Sequence, residues 1–222
     1  MSLCALLQLA DSGFPSGAFA HSFGLETAID QRRVGDAATL EAWLRAYLLG
    51  ALAPLDGGAL ALTFAGCEPL VLDEIVSAAV FCDEIHAANA AIARATLLTY
   101  ASIGLSSDRL ASYEAAVCAG HANGIPALAA ALGYEAANVT CADALQSFFS
   151  ASLAALAAAA ARAMPLGQRA MSAVLWNLRS DIERAALTSL AIGEPAALGA
   201  QAFEQEIDGL NHRRLDGRLF AS

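Results

Sequence analysis

One stretch near the start of the chain contains the three residue types of a serine-hydrolase triad. It reads DSGFPSGAFAHSFGLE and supplies Asp11, Ser12, Ser16, His21 and Ser22. Triad chemistry needs a base that takes the serine proton and a carboxylate that orients the base. His21 and Ser22 are adjacent, so on a helix they would project about 100° apart. GFPSG is also not the G-x-S-x-G elbow, and no strand is predicted before it. Turn formation and helix capping therefore explain these residues better than catalysis does.

Two cysteine–histidine pairs have spacings that could serve a metal ion. Cys82 and His86 are four residues apart, and Cys118 and His121 are three apart. On a helix, either pair could direct two soft ligands the same way. A structural zinc site usually needs about four ligands, and a cysteine in an alanine-rich helix is commonly a core residue. We therefore predict no metal site and keep these four residues as weak candidates.

Charge and motifs argue against binding of nucleotides or nucleic acid. The chain has no G-x-x-x-x-G-K-[ST] loop, and all twelve of its basic residues are arginines. Its formal net charge is −10. Six carboxylates and no arginine lie between Arg45 and Arg94. A basic protein surface or a cation fits this pattern better than a nucleic acid does.

The composition predicts a helical protein. Of the 222 residues, 57% are hydrophobic, and alanine supplies much of that fraction, which favours helices over strands. We expect one all-α domain of about eight to ten helices. The first strong apolar stripe of helical spacing starts at Leu40. We expect its helix to be capped by Asp36 or Thr39 and to kink or break near Pro54 and Gly57–Gly58. Further helices are predicted at about 69–82, 84–103, 107–119, 125–133, 141–163, 167–191 and 196–210.

Cysteine usage favours a cytoplasmic protein. The five cysteines are odd in number, widely spaced and without a C-x-x-C pattern, and no secretory signal is visible. The stretch 144–161 is long enough to cross a membrane. It is mostly alanine and serine with Gln146 inside, which is weakly hydrophobic for a span. We expect it to be a buried helix.

The last residues of the sequence have the character of a binding segment. Residues 211–222 (NHRRLDGRLFAS) combine three arginines with Leu219 and Phe220 and show no helical stripe. A frayed, solvated tail is one interpretation. An anchor that becomes ordered when a partner binds is the other. We expect residues 1–210 to form the domain and the tail to be ordered by a partner.

Residues 6–26 (LLQLADSGFPSGAFAHSFGLE) resemble the N-terminal signature of the UreF family of urease accessory proteins. That signature joins L-Q-L-x-D-S to P-x-G-x-[FY]-[AS]-H-S-x-G-L-E. The matching positions are Leu7, Gln8, Leu9, Asp11, Ser12, Pro15, Gly17, Phe19, His21, Ser22, Gly24, Leu25 and Glu26. PLGQ at 165–168 and the ending EIDGLNHRRLDGRLFAS are similar to family features at corresponding places, and GHANGIPALAAALG matches more loosely. The resemblance therefore spans the chain.

The chain departs from the family pattern at three notable positions. Ala18 stands where a second glycine is usual, and Phe23 where a glycine commonly follows the His-Ser pair. Arg213 stands where an acidic residue usually follows the histidine. These changes bear on partner affinity.

The resemblance implies an all-α, cytoplasmic accessory protein with no enzymatic activity and no cofactor. Its expected role is GTP-dependent nickel insertion into apo-urease. Family members form homodimers and bridge UreD, also called UreH, to the GTPase UreG. The residues expected to bind partners are Asp11, Pro15, Gly17, His21, Ser22, Glu26, His212, Arg218, Leu219 and Phe220.

Two other functions stay open at the level of the sequence. One is a nickel-binding metallochaperone that uses the cysteine–histidine pairs. The other is a small hydrolase that uses Asp11, His21 and a serine. The sequence also leaves open whether the protein activates or restrains the UreG GTPase.

Overall fold

The computed structural model describes residues 3–222, and that range forms a single all-α domain without a β-strand. The predicted fold class is confirmed, although the helix count is eleven rather than eight to ten. The helices are α1 (Leu3–Leu9), α2 (Leu25–Asp30), α3 (Ala37–Phe64), α4 (Pro69–Ala78), α5 (Asp83–Ser102), α6 (Asp108–Ala119), α7 (Pro126–Ala136), α8 (Cys141–Ala163), α9 (Gln168–Asn177), α10 (Arg179–Leu190) and α11 (Phe203–His212).

Several helices begin at the capping residues that the sequence offers. At the start of α3, the Asp36 carboxylate accepts the Thr39 backbone N–H at 2.8 Å, and the Thr39 hydroxyl accepts the Asp36 N–H at 3.1 Å. Both predicted caps are thus used, in one capping box. Ser107 caps α6, and Thr140 caps α8 by accepting the Asp143 N–H at 3.2 Å. These side chains satisfy backbone donors that a helix start leaves free.

The break predicted near Pro54 is wrong, because α3 continues through it as a π-helical segment, Leu48–Gly57, and a kink there stays a prediction. Proline has no N–H, so in an α-helix the carbonyl of Gly50 would lose its partner. Here the Gly50 carbonyl accepts the N–H of Gln201 at 2.7 Å from a crossing loop. A wider helical turn and an outside donor together accommodate the proline.

Gly57 and Gly58 allow close packing of α3 rather than ending it. A Cβ atom on Gly57 would lie 2.4 Å from the Ser189 hydroxyl oxygen and 2.5 Å from the Phe149 ring. On Gly58, it would lie 2.6 Å from a methyl group of Leu198. The pair therefore lets α3 pass directly against α8 and α10. A Gly-Gly pair is typical both of a turn and of a close helix crossing, so the sequence alone does not distinguish the two.

Two further helix boundaries differ from the predicted ones. The span predicted at 167–191 is divided at Leu178 into α9 and α10. The span predicted at 196–210 contains a short 3₁₀ turn, Pro195–Ala197, and α11 begins only at Phe203. Both differences arise where short irregular segments let the chain change direction between packed helices.

The core consists of two apolar clusters. One gathers leucines and Phe149 between α2, α3, α8, α9 and α10, and the other gathers side chains between α3, α4, α5, α6 and α7. Phe148 on α8 packs against both clusters. Two helices, Ala37–Phe64 and Cys141–Ala163, are long and apolar enough to cross a membrane by length and composition. Both supply core residues to these clusters, so their composition is weak evidence for a membrane protein.

Asp56 is a carboxylate that the π-helical segment directs into the protein interior. Burial raises the pKa of Asp56 from 3.8 to about 7. Between these two values the folded protein keeps a proton on Asp56 that the unfolded chain has released. Folding is therefore progressively disfavoured as the pH rises through this interval.

Replacing Asp56 with Asn should remove this pH dependence. We expect the stability of the Asp56→Asn variant relative to the parent to increase as the pH rises from about 4 to about 7, and then to stay constant, since Asn does not ionise. Urea unfolding at a series of pH values measures the difference. A stability difference that is constant across the pH range would contradict the burial of an ionisable carboxyl here.

Replacing Gly57 with Ala should destabilise the fold by about 1–3 kcal/mol through overpacking against α8 and α10. Gly35→Ala is the matched control, because a Cβ atom at Gly35 meets nothing within 4 Å. Chemical unfolding of the two variants tests the comparison. Equal stabilities would show that α3 has room for a side chain at this crossing.

Candidate partner-binding surface

The N-terminal segment (residues 10–24) follows a path that local hydrogen bonds fix between α1 and α2. The Asp11 carboxylate accepts the N–H of Gly13 at 2.6 Å, and the Pro15 carbonyl accepts the Thr99 hydroxyl at 3.1 Å. Gly17 has a φ of 76° and leads into a 3₁₀ turn, Ala18–Ala20. The Asp11 contact is an Asx-type turn bond, as the capping interpretation predicted.

Gly24 joins this segment to α11. Its φ is 88°, and a Cβ atom there would lie 2.8 Å from the Gln205 carbonyl oxygen. The preceding residue, Phe23, has a φ of 51°, a left-handed conformation that is strained for a residue with a side chain. The Thr27 hydroxyl then donates to the Asp208 carbonyl at 2.9 Å. The start of α2 is thus attached directly to α11.

The tail (residues 211–222) lies against the N-terminal segment. The Ser22 N–H and the Ser22 hydroxyl both donate to the carbonyl oxygen of Ser222, each at 2.7 Å. The Ala221 N–H donates to the Ala20 carbonyl at 2.9 Å. His21 Nδ1 lies 3.0 Å from the Ser222 hydroxyl oxygen. Residues about 200 positions apart in sequence therefore pair backbone to backbone.

Glu26 is the polar centre of this arrangement. It is buried in the first turn of α2, where the helix dipole favours a negative charge. Its Oε1 accepts the Leu219 N–H at 2.7 Å, and its Oε2 accepts the Phe220 N–H at 3.2 Å. Oε2 also lies 2.8 Å from Nε2 of His212. One carboxylate thus holds two tail amides and one imidazole.

His212 lies between two carboxylates and is fully buried. Besides its contact with Glu26, its Nδ1 lies 2.7 Å from Glu84 Oε2. Each of its two ring nitrogens thus has a carboxylate oxygen within hydrogen-bonding distance. Arg218 donates to Glu84 Oε1 at 2.7 Å. Arg218 thus places a cation beside the Glu84 carboxylate, at the partly exposed side of the network.

Glu84 shows the balance of burial and pairing in this network. Burial alone would raise the pKa of its carboxyl group. The hydrogen bonds from His212 and Arg218 outweigh that effect and hold the pKa below its ordinary value. The ionised form of Glu84 is therefore the one that the folded tail favours.

Phe220 completes the attachment of the tail, since its side chain is only 6% exposed. The guanidinium of Arg162 on α8 lies 4.4 Å above the centre of its ring and also donates to the Phe19 carbonyl. The neighbouring Leu219 side chain, in contrast, is 64% exposed. The tail thus buries one residue of its apolar pair and presents the other.

Helix α11 presents an apolar row beside the tail. Phe203, Ile207 and Leu210 are 69%, 56% and 40% exposed, and their i, i+4, i+7 spacing places them on one face. The opposite face contributes the buried Asp208, Gly209 and His212 to the body. A helix with this composition has an apolar face that the chain itself does not cover.

The structure brings together most of the residues predicted to bind partners. Ser22, Glu26, His212, Arg218 and Phe220 belong to one network around the tail. Their contacts are with the chain itself, and a role in partner binding stays a prediction for them. Asp11 and Pro15 are exposed on the N-terminal segment, apart from this network.

The hydrolase and metal alternatives gain no support from the geometry. The hydrogen-bonding partner of His21 is Ser222, while the Asp11 carboxylate accepts from a backbone amide. Cys82 lies just before α5, not on it, and the His86 ring contacts the Val80 carbonyl at 3.0 Å. His121 follows the left-handed Gly120 that ends α6, so it does not share a helix face with Cys118. No group of three or more metal-ligating side chains occurs among residues 3–222.

Sequence reasoning missed two residues of the network and one surface. Glu84 appeared only as one of several acidic residues, and Arg162 carried no signal at all. The exposed row on α11 could have been found, because Phe203, Ile207 and Leu210 follow helical spacing in an otherwise polar segment. Contacts between distant segments leave no comparable trace in one sequence.

Known proteins with similar sequences align with almost the whole chain. A sequence profile described as UreF matches residues 34–179. A urease accessory protein UreF of Arthrobacter sp. (strain FB24) is 34% identical over 218 residues, covering 98% of this chain and 96% of that protein. The chain belongs to the UreF family. The UreF proteins of Paenarthrobacter aurescens (strain TC1) and Corynebacterium glutamicum (strain R) are 34% and 32% identical, each over 98% of this chain.

UreF membership covers more of the chain than the profile alone does. The profile match excludes the N-terminal segment and the tail, whereas the alignments with whole UreF proteins extend over almost all residues. The paired segments described above are therefore inside the region of similarity. The description of these relatives as urease accessory proteins places the chain among proteins of urease maturation.

Replacing Glu26 with Gln should release the tail and destabilise the protein by about 3–5 kcal/mol, because it leaves the buried His212 without one of its counter-charges. Hydrogen exchange of the Leu219 and Phe220 amides should become faster than in the parent. Glu183→Gln, at an exposed position of α10, is the control and should change neither property. Parent-like protection in Glu26→Gln would show that the carboxylate does not hold the tail.

Proposed function

We propose that this protein is a cytoplasmic scaffold for GTP-dependent nickel insertion into apo-urease. In this proposal it acts as a homodimer, has no catalytic activity of its own and bridges UreD, also called UreH, to the GTPase UreG. Membership of the UreF family supports a role in urease maturation. The observation that supports a scaffold role is the apolar row on α11 next to a tail that the protein holds in one position.

The α11 row and the tail are proposed to form the UreD-binding surface. Phe203 and Ile207 supply uncovered apolar area, and Leu219 extends it from the tail. Arg218 is 40% exposed beside them and contributes a charge at the rim. Apolar side chains within a polar rim are typical of protein interfaces. In this proposal, Glu26 and His212 act by positioning the tail.

The N-terminal segment is proposed to form the surface for the dimer and for UreG. Asp11 and Pro15 are exposed there, and the Phe19 side chain is 67% exposed. The hydrogen bonds around Asp11 and Gly17 fix the backbone that presents them. A preformed loop of this kind loses little conformational entropy on binding. Ser22 and His21 support it from the tail side.

Nickel binding by the protein itself is the alternative function. The cysteine–histidine pairs Cys82–His86 and Cys118–His121 are its proposed ligands, and neither pair gathers a third ligand among the described residues. Equilibrium dialysis with Ni²⁺ distinguishes the two functions. A scaffold should bind Ni²⁺ weakly, with no change on replacing Cys82 by Ser, whereas tight binding lost on that replacement would favour the metallochaperone.

Pull-down experiments with UreD and UreG from the same urease system test the two surfaces against each other. With the double variant Phe203→Ser/Ile207→Ser, the amount of UreD recovered should fall by about tenfold or more relative to the parent. The amount of UreG recovered should stay the same as with the parent. The double variant Asp11→Ala/Phe19→Ser should show the reverse. Each variant thus serves as the folded control for the other.

A second control uses exposed apolar residues far from both surfaces. Trp176→Ser/Leu187→Ser changes exposed side chains on α9 and α10 and should keep both partners. Deleting residues 211–222 is less informative, because the deletion also removes the buried His212 and Phe220. Undiminished UreD binding by Phe203→Ser/Ile207→Ser would contradict the assignment of α11 to the UreD-binding surface.

A further inference from the structure

A cavity of about 270 Å³ lies under the N-terminal segment. Its walls come from that segment, from α3, α5, α7 and α8, from the end of α4 and from Glu206 on α11. Most of the lining side chains are alanine, leucine and aromatic residues. An engineered apolar cavity of about 150 Å³ already accepts benzene. This cavity therefore has room for a ring and a short substituent.

The π-helical segment brings two polar groups to the same wall of the cavity. Tyr47 and Asp56 are nine residues apart, and in an α-helix of about 3.6 residues per turn they would face opposite ways. In a segment with i→i+5 hydrogen bonds each turn takes almost one residue more, so nine steps complete about two turns. Both side chains line the cavity. Burial raises the pKa of Tyr47, and the nearby charge of Asp56 adds to this effect.

Asp56 has no counter-charge in this cavity. The ion pairs among residues 3–222 involve other carboxylates and not Asp56. Burial lowers the pKa of His21, so this histidine is uncharged at neutral pH. The ionisable residues that line the cavity include no arginine and are Asp11, His21, Tyr47, Asp56, Cys82, Tyr100, Tyr134 and Glu206. The interior is therefore complementary to a cation with an apolar body.

We propose that this cavity binds a small organic ammonium ion whose apolar group fills the alanine- and leucine-lined space and whose charge pairs with Asp56. The Tyr47 hydroxyl provides a second acceptor at the same end, and an ammonium group has three donors. A metal ion fits less well, since Asp56 does not belong to a group of three or more metal-ligating side chains among the described residues. The proposal is independent of the scaffold function, which rests on the outer surfaces.

Calorimetric titration with 2-phenylethylammonium tests the proposal, and 2-phenylethanol serves as the comparison with the same carbon skeleton and no charge. The titrations are made at pH 8, where Asp56 is ionised. The parent protein should bind the ammonium ion at least about tenfold more tightly than the alcohol. Asp56→Asn should lose that preference, and Asp30→Asn, at an exposed position of α2, should keep it.

Three titration results would overturn the proposal: equal affinity of the parent for the two compounds, unchanged ammonium binding by Asp56→Asn, or no saturable binding by the parent. Amide shifts in the protein's NMR spectrum locate the binding site. They should change along Ala151–Ala155 on the cavity wall, and changes confined to the outer surface would indicate adsorption and reject the cavity. Circular dichroism of Asp56→Asn should match the parent, so lost affinity reports the carboxylate and not unfolding.

Discussion

The buried carboxylate of Glu26 is the constraint on which the surface architecture depends. A carboxylate that is removed from water needs hydrogen-bond donors in the protein. Glu26 has three such partners, the His212 ring and the Leu219 and Phe220 amides, all from α11 or the tail. This requirement fixes the distance between α2 and α11 and the direction in which the tail leaves α11. The exposed faces of α11 and of the N-terminal segment are oriented as a consequence.

A network of this kind contributes specificity more than stability. Replacing buried ion pairs by apolar residues can leave a protein equally stable, whereas removing one member is costly. The network around His212 selects one position for a segment that has little apolar area of its own. A scaffold benefits from such a device, because a prearranged surface loses less entropy when a partner docks.

The sequence predicted the helical class and the capping residues well, because these depend on local chemistry. Asp36 and Thr39 cap α3 as expected, since a cap needs only the next three residues. The continuation of α3 through Pro54 was not predicted, because the donor that satisfies the Gly50 carbonyl is Gln201, which lies far along the chain. Glu26 and His212 were recognised only through family resemblance. Their mutual contact could not be predicted, because nothing in a single sequence records which distant charges meet.

The pairing of Ser22 with Ser222 has a consequence for the order of assembly in time. These contacts join residues 200 positions apart, so forming them carries a loop-closure cost that local helical contacts do not. During synthesis the N-terminal segment leaves the ribosome long before the tail that pairs with it has been made. Until residues 219 and 220 have emerged, Glu26 has no tail amides to bind. A chain that stops before residue 219 therefore lacks the contacts that hold the tail against α2.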